Sequence, residues 1–241
     1  MTMGQNGGEN EAAASSVTVV KSKLVVVGDC GCGKTSLIKR YVHGEHKDKY
    51  TPTGFDTYTA TYHVSDTYKI QMSIWDTSGD SGYNRVRPLS YSDADLILVC
   101  FSVAEPDSME SVVSKWYGEV REHCPTQPII LVGCKTDLRS DTDFTARLAR
   151  KKQSMATYDQ GLKTAKHIGA LVYSETSSKT SHRSVCDVVE VAALSSAGNK
   201  STAETTNFRR QRSFIRRKRF SGIGEAKVHL RKEAAKSCVV M

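Results

Sequence analysis

The sequence predicts an α/β fold: one doubly wound, mostly parallel sheet of six strands with helices on both faces. Three observations predict it. A strand, a Gly-rich turn and a helix follow one another near the N-terminus, three apolar runs have the length of buried strands, and helical segments separate those runs.

The first sixteen residues, with Gly7-Gly8 and Ala12 to Ser16, are small and polar and show neither apolar period, so residues 1–20 read as a loose tail. Leu24 to Val27 is an apolar strand that leads through the Gly-rich turn into a helix from Lys34 to His43. Thr57 to Val64 and Tyr68 to Trp75 alternate with period two. Ile70, Met72 and Ile74 share one face, and Ser65-Asp66-Thr67 joins the pair as a hairpin. Leu96 to Phe101 and Ile129 to Val132 are apolar throughout, as strands covered on both faces must be. Helices are expected at about Ser108 to His123, Gln160 to Ile168 and Arg183 to Ala193, with a short apolar strand before Glu175. Past Ala197 the apolar stripe ends, so the domain is placed at residues 21–198 and a basic tail at 199–241.

The chain carries +8, and the location of that charge decides its meaning. Residues 200–241 hold 12 Lys/Arg against 3 Asp/Glu, a net of +9, so the remaining 199 residues carry −1. A nearly neutral domain does not read as a nucleic-acid binder. Seven cysteines without a signal peptide or an apolar run near 18 residues point to a reducing compartment, not to a disulfide framework or a membrane span.

Gly28-Asp29-Cys30-Gly31-Cys32-Gly33-Lys34-Thr35 fits G-x-x-x-x-G-K-[ST] between a strand and a helix, the context that separates a phosphate loop from an incidental Gly-rich turn. The glycines let backbone N–H groups converge on a triphosphate, Lys34 supplies a point charge, and the Thr35 hydroxyl, followed by Ser36, suits Mg²⁺. Asp76-Thr77-Ser78-Gly79 leaves the strand that ends at Trp75. Its carboxylate can hold the magnesium hydration shell, and Gly79 can offer its N–H to a γ-phosphate.

Gly133-Cys134-Lys135-Thr136-Asp137 and Glu175-Thr176-Ser177-Ser178-Lys179 each follow an apolar strand. With these, the sequence resembles the Ras superfamily, which reads guanine through N/T-K-x-D and S-A-K. The resemblance implies a G domain that binds GTP and Mg²⁺, with Asp137 selecting guanine and Lys135 along the ring. It places Cys134, Leu138, Ser177, Ser178 and Lys179 around the base; Cys134 replaces the usual Asn and Ser178 the usual Ala.

Tyr50-Thr51-Pro52-Thr53, Trp75-Asp76-Thr77, Val86 to Tyr91 and Asp137-Leu138-Arg139 are similar to the Rho family, over about residues 21–197. That resemblance implies an insert helix within about 139–157, Thr53 as a second magnesium ligand and Tyr50 closing over the phosphates. It also implies effectors and regulators that bind switch regions at about 46–56 and 76–91. Gly54 replaces an apolar residue, and His46 stands where the family has a guanine-packing Phe.

Hydrolysis needs a side chain that orients water, usually a Gln directly after D-x-x-G, and open space above the loop for an arginine finger. Asp80 occupies the Gln position and Cys30 a position that is Gly in hydrolysing relatives, so no catalytic residue is intact. Asp76-Thr77-Ser78-Gly79, Gly133-Cys134-Lys135 and Tyr158-Asp159-Gln160-Gly161 resemble the Rnd subfamily. That resemblance implies a GTP-loaded antagonist of Rho signalling on the actin cytoskeleton; the alternative is a cycling GTPase.

Cys238-Val239-Val240-Met241 fits C-a-a-X, the pattern for farnesylation of Cys238, and one lipid needs a second signal for stable attachment. The basic run Arg209, Arg210, Arg212 and Arg216 to Arg219 suits the anionic inner leaflet of the plasma membrane, with a cytosolic pool. Ser213 and Ser221 lie close behind arginines, and the Rnd resemblance adds capture of the phosphorylated tail by 14-3-3. Nucleic-acid binding by the tail is the other reading of such a run; no specific nucleic-acid partner is expected.

Overall fold

A computed structural model describes residues 17–46 and 52–200, with side chains up to residue 198. Tyr50, Ser213, Ser221, Cys238 and the basic run all lie outside the described residues.

The sheet has six strands in the order β2-β3-β1-β4-β5-β6. They are β1 Thr18–Gly28, β2 Phe55–Ser65, β3 Tyr68–Thr77, β4 Leu96–Ser102, β5 Ile129–Cys134 and β6 Val172–Glu175. β2 and β3 pair antiparallel; every other neighbouring pair is parallel. This is the α/β, doubly wound sheet that the strand pattern predicts.

Where the sheet is covered, successive strand side chains face one of two cores, because strand residues alternate between faces. Leu24, Val26, Ile70, Met72, Ile74, Leu98 and Val132 pack on one side with Leu37 and Ile38 of α1 (Lys34–His43) and Val185, Val188 and Ala192 of the last helix. Val25, Val27, Ile97, Val99, Phe101 and Leu131 pack on the other with Val112, Trp116, Val120, Ala165 and Ile168. The helices of that second face are α2 (Pro106–Ser111), α3 (Tyr117–His123) and α5 (Tyr158–His167), the last opened by a capping box of Thr157 and Gln160. Both faces of β4, and of β1 from Leu24 onward, are therefore buried, which is why those stretches read as unbroken apolar runs.

α4 (Thr142–Arg150) is the helix expected within residues 139–157. It has no buried residue, and Asp141 caps it by accepting from the Phe144 N–H. The chain returns to the body where the Ala156 N–H donates to Val103 O at 2.8 Å.

Two bounds differ from the sequence reading by more than two residues. β1 begins at Thr18, inside the segment read as tail, because Thr18 to Val20 pair with Tyr68 to Ile70 of the hairpin. The last helix, α6, spans His182–Lys200 and outruns the predicted Arg183 to Ala193. Ser195 and Ser196 are buried in it, and Ser22 Oγ donates to Ser196 Oγ at 2.6 Å, so a polar stretch continues the helix against β1.

Candidate functional site

In a doubly wound sheet, ligand loops gather at the strand C-termini where strand order reverses. Here that point lies beyond β1, whose neighbours β3 and β4 are reached by chain running to opposite sides. A cleft of about 970 Å³ opens there, at the upper end of small-molecule sites. It is lined at one end by Cys30, Gly31, Gly33, Lys34, Thr35 and Ser36, and at the other by Cys134, Lys135, Asp137, Leu138, Ser178 and Lys179. Thr53, Thr77, Ser78 and Gly79 lie between.

Backbone approach shapes the phosphate end. A Cβ on Gly28 would fall 2.1 Å from Cys100 O, and one on Gly79 would fall 2.4 Å from Cys30 N, so each position admits only glycine. The Lys34 ammonium donates to Gly28 O at 2.7 Å and Asp29 O at 2.8 Å, which holds it on the loop. Burial opposes its charge, but the electrostatics of the groups around it, the Asp76 carboxylate among them, outweigh that cost and raise its pKa, so it stays a cation.

Side chains of two predicted phosphate residues turn away from the cleft. The Asp29 carboxylate accepts from Trp116 Nε1 at 2.8 Å, and the Cys32 thiol is buried and donates to Cys100 O at 3.5 Å. Burial pushes the Cys32 thiol up to about 12, which leaves it neutral. Cys30, by contrast, is exposed in the cleft wall.

Three hard-oxygen side chains converge below the phosphate loop. Thr35 Oγ1 donates to Asp76 Oδ2 at 2.6 Å, and the Thr35 and Thr53 hydroxyls are 2.7 Å apart. Asp76 is fully buried; its Oδ1 has no hydrogen-bond partner, and burial pushes its carboxyl up to about 6 against the pull of Thr35 and Lys34. A buried oxygen without a donor beside two hydroxyls is a set that fits Mg²⁺, which takes oxygen ligands and would keep the carboxylate ionised.

At the other end, Ser177 Oγ donates to Asp137 Oδ1 at 2.5 Å and accepts from Thr180 N at 3.1 Å, so it fixes the carboxylate from behind without lining the cleft. Lys135 has φ 63, a left-handed conformation uncommon for a side chain of its kind, and its ammonium pairs with Glu105 at 2.8 Å. Strain of this sort gathers at binding loops. Arg139 makes a two-pronged salt bridge to Glu175 and donates to Ala156 O at 2.7 Å, which ties both base-side loops to the return from α4.

Sequence reasoning missed the layer behind the cleft. Arg87 is fully buried and donates to Ser78 O, Asn84 Oδ1 and both oxygens of Glu119; Tyr91 Oη donates to Glu119 as well. The one signal available was an Arg inside the stretch Val86 to Tyr91. His46, Lys39, Glu45 and Tyr58 also line the cleft; of these, only His46 was singled out by sequence.

A cleft so placed, gripped by a glycine loop that holds its own buried lysine, defines a P-loop nucleotide-binding protein. The Ras family model matches residues 23–194. The Rho-related GTP-binding protein RhoE of Homo sapiens is 43% identical over 228 residues, which is 92% of this chain and 91% of that protein. The GTP-binding protein RHO1 of Candida albicans is 43% identical over 185 residues, 77% of this chain and 92% of its own length. The chain belongs to the Ras family, and within it to the Rho branch, where it is Rnd-like.

Proposed function

We propose that this Rho-family GTP-binding protein holds GTP with little turnover and acts as a membrane-anchored signalling module, not as a cycling enzyme. The observation that carries this is the state of Asp80. It occupies the water-orienting position after Gly79, and its Oδ1 accepts from the Gly82 N–H at 2.7 Å, capping the short helix Ser81–Tyr83. A carboxylate engaged by its own turn is not free to aim a water, and its charge beside phosphate oxygens is repulsive. The exposed Cys30 thiol occupies space an arginine finger requires.

Thr35, Thr53 and Asp76 would hold Mg²⁺, which when bound neutralises charge between the β- and γ-phosphates. Lys34 grips the outer phosphates, and Asp137, oriented by Ser177, reads guanine. Effector docking on the switch face is supported by its apolar side chains. Leu89 is three-quarters exposed, Val86 is exposed beside it, and the Phe55 and Tyr83 rings meet at 5.7 Å. The sequence signals in the tail support a farnesylated Cys238 on an anionic inner leaflet, with 14-3-3 binding after phosphorylation, and effectors that act on the actin cytoskeleton.

Single-turnover hydrolysis of bound GTP, with and without a Rho GAP, tests the proposal. The expected result is no measurable GAP stimulation, against roughly 10⁵-fold in hydrolysing relatives. Asp80→Gln combined with Cys30→Gly is expected to restore a GAP response. Stimulation of the native chain would favour the cycling reading.

A further inference from the structure

Between α2 and α3 the helical run over residues 106–123 is interrupted by a π-helical turn, Val112–Trp116. A π turn adds a residue to the helix and changes where the following side chains face, and such turns concentrate at functional sites. This one sets Lys115 and Trp116 against the two phosphate loops at once.

Trp116 is fully buried, and its indole N–H donates to Asp29 of the phosphate loop at 2.8 Å. The Lys115 ammonium lies 4.2 Å from the centre of the same ring and donates to Gly79 O at 3.3 Å. The Arg87 guanidinium lies 4.6 Å from that ring centre and donates to Ser78 O at 2.9 Å and Asp80 O at 3.4 Å. One indole therefore touches an acceptor in the first loop and both cations that hold the second.

Asp29 is tied to the lysine and the turn of the phosphate loop through its backbone. Its carbonyl accepts from the Lys34 ammonium at 2.8 Å and from the Cys32 N–H at 3.3 Å. The two loops are in such close contact that a Cβ on Gly79 would strike Cys30 N, so a shift in one loop displaces the other. The indole bond is charge-assisted and partly buried, which places it among the stronger hydrogen bonds.

We propose that Trp116 is a positioning residue that couples the phosphate loop to the D-x-x-G loop, so that nucleotide retention depends on its N–H bond to Asp29. The proposal rests on the nucleotide binding of the family and not on whether GTP is hydrolysed.

The test is release of a fluorescent GDP analogue from the full chain in Mg²⁺, followed after addition of excess unlabelled GDP. Trp116→Phe keeps an aromatic ring and loses the donor; Asp29→Ala loses the acceptor. Each is expected to speed release on the order of tenfold, the double variant no more than either alone, and Asp29→Asn, which keeps an acceptor oxygen, less than Asp29→Ala. Unchanged release in both single variants, or effects that multiply in the double, would overturn the coupling. A native chain that held no analogue would overturn nucleotide binding itself, and the proposal with it.

Discussion

Asp137 in the cleft wall and Asp76 buried beneath it are carboxylates held in opposite ways. Asp137 receives the Ser177 hydroxyl on one oxygen, which leaves the other for a ligand. A hydrogen bond to a charged group contributes about 1.5–3 kcal/mol, so Ser177→Ala is expected to weaken GDP binding by about tenfold or more, read by equilibrium titration. An unchanged affinity would show that the loop backbone alone orients Asp137. Asp76 is buried, and its carboxyl rises to about 6. Magnesium requires the carboxylate, so protons compete with the metal below that pH. The expected outcome is Mg²⁺ affinity that falls by up to about tenfold per unit as pH drops below about 6, and that levels off above it. Affinity flat from pH 5 to 8 would mean that Asp76 does not titrate with the metal.

At the scale of elements, α3 is joined to the loop that precedes β4 through Arg87, Tyr91 and Glu119. Burial alone would raise the Glu119 carboxyl, but hydrogen bonds from Arg87 and Tyr91 outweigh it and hold its pKa below the ordinary 4.5. A depressed carboxyl contributes stability that is complete above its unfolded pKa and is lost as pH falls through the folded value. Glu119→Gln leaves the buried Arg87 charge without its partner, and is expected to cost about 3 kcal/mol in urea unfolding at pH 7. The variant should also lose less stability than the native chain between pH 5 and 3. Equal acid sensitivity in the two would remove Glu119 as the cause.

The same elements show what the sequence made legible. Strands β3, β4 and β5 were visible because burial on one face or two leaves a period or an unbroken run, and the phosphate loop because its chemistry is local. The start of β1 was hidden, since exposed Thr18 and Val19 are ordered only by pairing with the hairpin some fifty residues away. The π turn was hidden too: Ser108 to His123 reads as one continuous helix, and its break is visible only against Asp29 and Gly79. Contacts such as Trp116 to Asp29 span 87 residues and leave no local pattern.

For the whole molecule, a nearly neutral domain is followed by a tail of net +9, and the proposed function divides its tasks accordingly: nucleotide and effectors on the domain, anchoring on the tail. Among the described residues no helix is long and apolar enough to cross a membrane. If GTP is not turned over, control passes from the nucleotide cycle to the tail and to the amount of protein. The most direct measurement is the identity of the nucleotide released from full-length protein freshly purified from cells and resolved by chromatography. The account predicts GTP in nearly every molecule; a population carrying mostly GDP would contradict it.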